Sequence, residues 1–92
     1  MRTIERTGAF RRDYKREKAG QHGPTLDRAL VPVVQALAAD TPLPPHNRDH
    51  ALSGNWKGYR ECHLKPDLLL IYERPEAVLR LVRLGSHSEL FR

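Results

Sequence analysis

The sequence predicts an α+β protein in which two N-terminal helices pack on one face of a small antiparallel β-sheet. Two observations support this fold class. The first half of the 92-residue chain carries apolar residues at helical spacing, whereas the second half contains three short strand-like runs separated by proline-containing turns. Helices followed by strands, rather than alternating with them, are typical of a sheet that buries one face under helices. The length indicates a single domain over residues 1–92.

The first helix is predicted over residues 8–19, after a possible short strand over residues 2–6. Thr7 can cap this helix, because a threonine side chain accepts a hydrogen bond from the first free backbone amides. Phe10 and Tyr14 are four residues apart and therefore share a face. The glycines of the segment GQHG, residues 20–23, end the helix.

The second helix is predicted over residues 25–39 from a continuous apolar stripe. The stripe consists of Leu26, Leu30, Val33, Val34 and Leu37. Pro32 lies inside this pattern, and proline in a helix interior removes a backbone hydrogen bond and clashes with the preceding turn. We therefore expect either a kink at Pro32 or a helix that begins near Val31.

The strand half follows an irregular segment, residues 40–45, in which three prolines exclude both a helix and a central strand. Strands are predicted over residues 56–64, 68–74 and 78–84. The turns between them are short and contain proline, so neighbouring strands should form antiparallel hairpins.

Composition and charge restrict the classes of function. The formal net charge of +5 favours polyanions such as RNA as partners, although it also fits an acidic protein partner or a small domain that only needs solubility. Cys62 is the single cysteine, which excludes an internal disulfide and fits a reducing compartment. Because no apolar run is long enough for a signal peptide or a membrane span, we expect a cytoplasmic protein without a membrane partner.

Most of the reactive side chains follow residue 48. The candidate set is His50, His63, Asp67, Arg83 and His87. Along a strand, residues two apart share a face, so Tyr59, Glu61 and His63 should point the same way. His63 and Asp67 flank a turn and can converge at the end of a hairpin. One sheet can therefore bring the set to a single edge.

A metal site is one interpretation of these residues, with His46, His50 and His63 as ligands beside Asp67. Pro44 and Pro45 oppose a helix through His46, and no second cysteine is present to pair as a ligand. We therefore predict neither a metal nor another cofactor.

RNA cleavage accounts for the set better, because attack of a ribose 2′-hydroxyl on the adjacent phosphate needs a base, an acid and a cation. His50, His63 and Asp67 can supply the base and its orientation, and His87 can supply the acid. The remaining roles go to two further residues: Arg83 is suited to bind the phosphate, and Phe91 to stack on a base. The alternative readings are structural: Phe91 as a plug of the core, Asp67 as a turn residue, and His22 and His46 as structural or surface histidines.

Two motifs carry a family resemblance. The pattern D-H-x-L-x-G-x-W-K-G-Y-R-E-x-H-x-x-P-D over residues 49–67, followed by R-x-G-S-H-S-x-L-F over residues 83–91, resembles the YafQ branch of the RelE/ParE toxin superfamily. The resemblance implies a ribosome-dependent endoribonuclease that cuts messenger RNA in the A site. It also implies a cognate antitoxin as inhibitor, and operator DNA as a target of the toxin–antitoxin complex. Residues matching the functional positions of that branch are His50, His63, Asp67, His87 and Phe91.

The chain departs from YafQ itself at Leu68, where YafQ has tryptophan, so no stacking role is carried over to that position. Members of the ParE branch inhibit gyrase without cutting RNA. A non-catalytic inhibitor of a protein target such as gyrase is therefore the alternative function. The histidine set argues against it, because inhibition by binding needs no side chains that titrate near neutral pH.

Overall fold

The computed structural model describes residues 1–91. Its helices and strands are, in chain order, β1 (Thr3–Arg6), α1 (Gly8–Ala19), α2 (Leu26–Ala38), β2 (His50–Ala51), β3 (Arg60–Lys65), β4 (Leu68–Glu73), β5 (Val78–Gly85) and α3 (His87–Leu90). Single 3-10 turns cover Gly23–Thr25, Pro45–Asn47 and Gly54–Trp56.

The strands form one sheet with the order β1-β5-β4-β3-β2. Neighbours from β2 to β5 are antiparallel, as predicted for β3, β4 and β5, but β1 runs parallel to β5, with Thr3 opposite Val78 and Arg6 opposite Leu81. The predicted antiparallel sheet therefore holds for four of the five strands but not for β1. Because β1 is separated from β5 by both helices and three strands, no hairpin turn dictates its direction.

Helices α1 and α2 cover one face of the sheet, which confirms the predicted α+β layers. Thr7 caps α1 as expected, since its Oγ1 accepts a hydrogen bond of 3.0 Å from the amide of Phe10. The apolar core between helices and sheet is formed by Phe10, Leu26, Leu30, Val33, Val34, Leu37, Ala38, Cys62, Leu68, Leu70, Tyr72, Leu79, Leu81 and Leu84. None of the helices within residues 1–91 is long and apolar enough to cross a lipid bilayer.

Helix α2 continues through Pro32, so a helix beginning near Val31 was the wrong expectation. Because proline has no backbone N–H, the carbonyl of Arg28 lacks its usual helical hydrogen bond from residue 32. Both Arg28 and Pro32 are exposed. Solvent can therefore replace the missing hydrogen bond. The helix begins at Leu26, after the 3-10 turn over Gly23–Thr25.

Two elements near the reactive residues were not predicted. Strand β2 has only two residues, too few for an alternating pattern. Helix α3 begins with a capping box, in which Ser86 Oγ accepts from the amide of Glu89 and Glu89 accepts from the amide of Ser86. The S-x-x-E spacing that predicts such a cap is present in the sequence. The strand predicted from residue 56 begins only at Arg60, because a 3-10 turn and the left-handed Gly58 (φ of 97°) precede it.

Candidate active site

The sheet face turned away from α1 and α2 holds part of the candidate site. Alternate residues of β4 pack either with the helices or into a second, smaller apolar cluster on this other face. That cluster consists of Leu69, Ile71 and Leu90, with Leu52, Trp56, Tyr59, Val82 and Phe91 partly buried against it. His63 is paired with Leu69, and Glu61 with Ile71. Since cross-strand partners share a face, Glu61 and His63 lie on the same side as this cluster.

Strand register places three of the predicted residues, His50, His63 and Arg83, in two adjacent rows. One row runs from His50 through Glu61 and Ile71 to Arg83. The other begins at His63 and, through β4, reaches the last residue of β5, after which α3 starts with His87. Adjacent strands are about 4.8 Å apart, so two strand spacings, roughly 10 Å, separate His63 from the end of β5.

Glu61 lies between two histidines. Its side-chain Oε1 is 3.5 Å from Nε2 of His63 and 3.9 Å from Nε2 of His50. The residue is only 5% exposed, so its carboxylate faces the two imidazoles with little competition from solvent. Glu61 is not among the predicted site residues. The signal that identifies it is its position two residues before His63 on a strand.

His50 is held at the sheet edge by its neighbours in β2. Its Nδ1 lies 2.6 Å from the carbonyl oxygen of Arg48. The preceding residue, Asp49, accepts a hydrogen bond of 2.5 Å from Tyr72 Oη and one of 3.3 Å from Arg60 Nε. Burial, together with the bond to Asp49, raises the pKa of Tyr72, which therefore stays a neutral donor. This anchor fixes the backbone that carries His50.

The two histidines of the Glu61 site both face the glutamate with Nε2 but differ in the surroundings of Nδ1. A carbonyl only accepts, so the contact with Arg48 places a proton on Nδ1 of His50. His50 then donates toward Glu61 only when its ring is protonated. His63 can donate from Nε2 to Glu61 in its neutral form, and no residue within 1–91 bonds its Nδ1. Nδ1 of His63 is thus left for a ligand, whereas both ring nitrogens of His50 face acceptors.

Asp67 contacts a different histidine from the one expected. It lies in the two-residue turn between β3 and β4, and its Oδ1 is 3.5 Å from Nε2 of His22. Lys65 Nζ lies 3.4 Å from Nδ1 of the same ring. Because an ammonium group only donates, Nδ1 accepts, and the ring proton sits on Nε2 facing Asp67. The expected convergence on His63 is therefore replaced by a contact with His22, which is not among the predicted site residues.

Arg83 forms a bidentate ion pair with Asp13 of α1. Its Nε lies 2.6 Å from Oδ2 of Asp13, and its Nη2 lies 3.2 Å from Oδ1. Burial opposes ionisation of Asp13. Hydrogen bonds from Arg83 and from the amide of Leu84 favour it, as do the charges of Arg83 and Arg16. Together they hold the pKa of Asp13 below its usual value. The arginine predicted to bind phosphate is thus already oriented by a buried carboxylate.

His87 is the first residue of α3 and Phe91 directly follows its last residue, so their rings lie close together. Their ring centroids are 4.8 Å apart, and His87 is exposed. The ring of Phe91 also packs edge-on against Trp56 at 5.9 Å, and Trp56 packs against Tyr59 at 5.4 Å. Phe91 therefore both completes the second apolar cluster and flanks a candidate acid, so its two predicted roles are compatible.

Cys62 is fully buried on the helix side of β3, as expected for a small apolar residue. Burial raises the pKa of its thiol to about 12, so it is not a nucleophile at neutral pH. In the part of the chain that the structure describes, no three His, Cys, Asp or Glu residues are grouped so that they could hold a metal ion.

Comparison with known proteins identifies the class of this fold and site. Residues 2–92 match the family described as "Bacterial toxin of type II toxin-antitoxin system, YafQ". The mRNA interferase toxin YafQ of Escherichia coli is 36% identical over 91 residues, which cover 99% of this chain and 97% of that protein. The chain is therefore a toxin of the type II toxin–antitoxin class. Within that class it belongs to the YafQ family.

Solved structures agree with this assignment. A copper-bound mutant toxin from Helicobacter pylori superposes with a TM-score of 0.88 at 40% identity, covering 99% of this chain and 100% of that one. YafQ in the Escherichia coli DinJ–YafQ toxin–antitoxin complex gives a TM-score of 0.85 at 37% identity, covering 99% of this chain and 98% of that one. These likenesses confirm the predicted fold class and the predicted family.

Proposed function

We propose that this toxin is an mRNA interferase that cleaves messenger RNA in the ribosomal A site, and thereby inhibits translation, by metal-independent acid–base catalysis. Its relatives are named mRNA interferase toxins. The observation that carries the chemistry is the buried carboxylate of Glu61 between the Nε2 atoms of His50 and His63. An imidazole oriented in this way by a carboxylate is the usual arrangement of a general base.

The reaction begins with the ribose 2′-hydroxyl. His63 accepts its proton at Nδ1 while Nε2 donates to Glu61, and the freed oxygen attacks the adjacent phosphorus. Protonated His50, held by Glu61 and the Arg48 carbonyl, places a positive charge beside the developing anionic phosphorane. Asp67, with His22 beside it, contributes a further carboxylate that orients the ribose.

The leaving group departs toward α3. His87 gives its proton to the 5′-oxygen as the bond from phosphorus to that oxygen breaks, which leaves a 2′,3′-cyclic phosphate and a free 5′-hydroxyl. Arg83 binds a non-bridging phosphate oxygen through the part of its guanidinium that Asp13 leaves unoccupied. Phe91, whose ring lies against His87, stacks on the neighbouring base.

Docking on the ribosome is supported by the charge on α1. Arg11, Arg12 and Lys15 are exposed, and no acidic side chain of residues 1–91 lies within 4.0 Å of their charged groups. With a net charge of +5, this surface suits the phosphate backbone of ribosomal RNA.

The proposed protein partner is a cognate antitoxin. The Escherichia coli relative is solved as a complex with the antitoxin DinJ. An antitoxin with acidic segments complements the basic surface of this chain. The complex of the two proteins is proposed to bind operator DNA.

Mapping 5′ ends of cellular RNA after induction tests this proposal. We expect new in-frame ends within translated codons, and the same ends when the purified protein is added to ribosomes programmed with one message. His87→Ala should remain folded and lose both growth arrest and the cuts. Ser88→Ala, the exposed neighbour on α3, is the matched control and should retain both. Intact messages accompanied by DNA damage would instead support inhibition of gyrase, and a fully toxic His87→Ala protein would exclude the role of His87.

A further inference from the structure

We propose that Asp13 is a positioning residue for the proposed RNA cleavage, which orients Arg83 toward the scissile phosphate. This inference rests on the proposed function and extends the site to helix α1. Asp13 is 3% exposed, so its carboxylate is withdrawn from solvent and directed at the end of β5. A buried carboxylate of this kind persists only when its partners compensate for desolvation.

The geometry of the pair fixes the plane of the Arg83 guanidinium. Asp13 Oδ2 accepts from Nε at 2.6 Å, and Oδ1 accepts from Nη2 at 3.2 Å. This side-on fork removes rotation about the last side-chain bonds of the arginine. Among residues 1–91, no acceptor bonds Nη1 of Arg83, so the third nitrogen of the guanidinium remains for a ligand. Arg83 retains 29% of its side-chain accessibility, which leaves it reachable.

The same carboxylate also contacts the junction between β5 and α3. It accepts from the amide of Leu84 at 3.0 Å and from Arg16 Nη1 at 3.0 Å. Arg16 in turn donates to the carbonyl of Leu84 at 3.0 Å and lies 3.4 Å from Glu89 on α3. Glu89 caps α3 at Ser86, one residue before the candidate acid. Asp13 therefore holds the proposed phosphate ligand and the helix start through one network.

Orientation, rather than charge, is what Asp13 can contribute to the reaction. A negative charge beside Arg83 weakens the attraction of the arginine for a phosphate, so the pair reduces long-range binding. A guanidinium held in one orientation, however, does not have to be ordered when the transition state forms. Loss of Asp13 should therefore lower kcat without raising KM.

Chemical rescue distinguishes a positioning role of Asp13 from a purely structural one. Arg83→Ala should lose about 10²-fold in cleavage of a ribosome-bound message. Guanidinium chloride at concentrations far below denaturing should restore part of this loss, because the free ion occupies the fork of Asp13. Sodium chloride at equal ionic strength should not. The double variant Asp13→Asn/Arg83→Ala should show no rescue.

The matched control is Asp27→Asn combined with Arg83→Ala. Asp27 is an exposed carboxylate that bonds Tyr14 and Lys18, and no hydrogen bond or ion pair joins it to Arg83. This control should be rescued like Arg83→Ala alone. Equal rescue with and without the Asp13 carboxylate would overturn the inference.

A second variant covers the case in which Asp13→Asn does not fold. Asp13→Glu keeps the charge and the ion pair but displaces the guanidinium by one methylene. We expect a folded protein with reduced kcat and little change in KM, whereas wild-type kcat would refute a positioning role. If the wild-type protein itself cuts no message on ribosomes, the proposed function fails, and this outcome is distinct from the failure of the inference about Asp13.

Discussion

Oε1 of Glu61 lies 3.5 Å from Nε2 of His63 on the face of the sheet turned away from α1 and α2, and only 5% of the glutamate is accessible to solvent. This relationship gives the imidazole a defined orientation and tautomer. With Nε2 facing the carboxylate, the tautomer that carries its proton on Nε2 is favoured, and the lone pair is then on Nδ1. A residue in this position controls the chemistry of the histidine without itself contacting the substrate.

Glu61→Gln should lower the rate of message cleavage by about 10²-fold while the protein stays folded. Glutamine has nearly the same shape, but its amide no longer distinguishes between the two tautomers of His63 and no longer balances a protonated His50. Single-turnover cleavage on programmed ribosomes measures the effect. Glu73→Gln is the matched control, because Glu73 lies on β4 and bonds Arg80 away from the histidines. Unchanged cleavage by Glu61→Gln would remove Glu61 from the site.

His22→Leu should lower cleavage, but less than Asp67→Asn does. The leucine fills the space of the ring and removes both its contact with Lys65 and its contact with Asp67. The Asp67 carboxylate remains, but it loses the side chain that limits its motion. Measured kcat values for the two single variants and the double variant check this order. Additive losses would show that His22 does not act through Asp67.

Gly23→Ala should destabilise the fold by about 1–3 kcal/mol, as overpacking of a close contact does. A Cβ at Gly23 would lie 2.1 Å from the carbonyl oxygen of Lys18, a backbone atom that cannot rotate away as a flexible side chain could. Gly20→Ala is the control, since its Cβ would meet the nearest atom, the Arg16 carbonyl oxygen, at 3.5 Å. Urea unfolding followed by circular dichroism compares the two variants. Equal midpoints would contradict the close approach at Gly23.

The protein should lose stability at alkaline pH because of Cys62. Burial raises the pKa of its thiol from 9.0 to about 12, so above pH 9.0 the unfolded chain releases a proton that the folded chain retains. Unfolding is therefore favoured increasingly between these two pH values, and the contribution is absent at neutral pH. Thermal unfolding temperatures measured between pH 8 and 11 should fall less steeply for Cys62→Ala than for the wild-type protein. Parallel slopes would show that Cys62 ionises equally in both states.

The parts of the fold that depend on local signals could be predicted from the sequence, whereas the part that depends on long-range pairing could not. Helix α1, its cap at Thr7 and the hairpins of β3, β4 and β5 depend on signals within a few residues, and the structure agrees with them apart from shifts at their ends. The direction of β1 depends on a partner some 75 residues away, which no local pattern specifies.

The contacts of the candidate site also divide into those that local sequence predicts and those that join distant segments. The placement of Glu61 beside His63 follows from strand alternation, whereas the contacts of Asp67 with His22 and of Arg83 with Asp13 join segments that are distant in sequence. A turn residue such as Asp67 can face either side of a hairpin. The β-bulge between His63 and Lys65 also alters the register there, so simple alternation cannot specify which histidine Asp67 contacts.

The parallel pairing of β1 with β5 also determines when the fold can form during synthesis. During translation β1 emerges early, but its hydrogen-bonding partner emerges only after β4 and the turn that follows it. The sheet therefore cannot close, and His87 cannot reach its place, until β5 and α3 have left the exit tunnel. The proposed active site is therefore complete only after β5 and α3 have been synthesised.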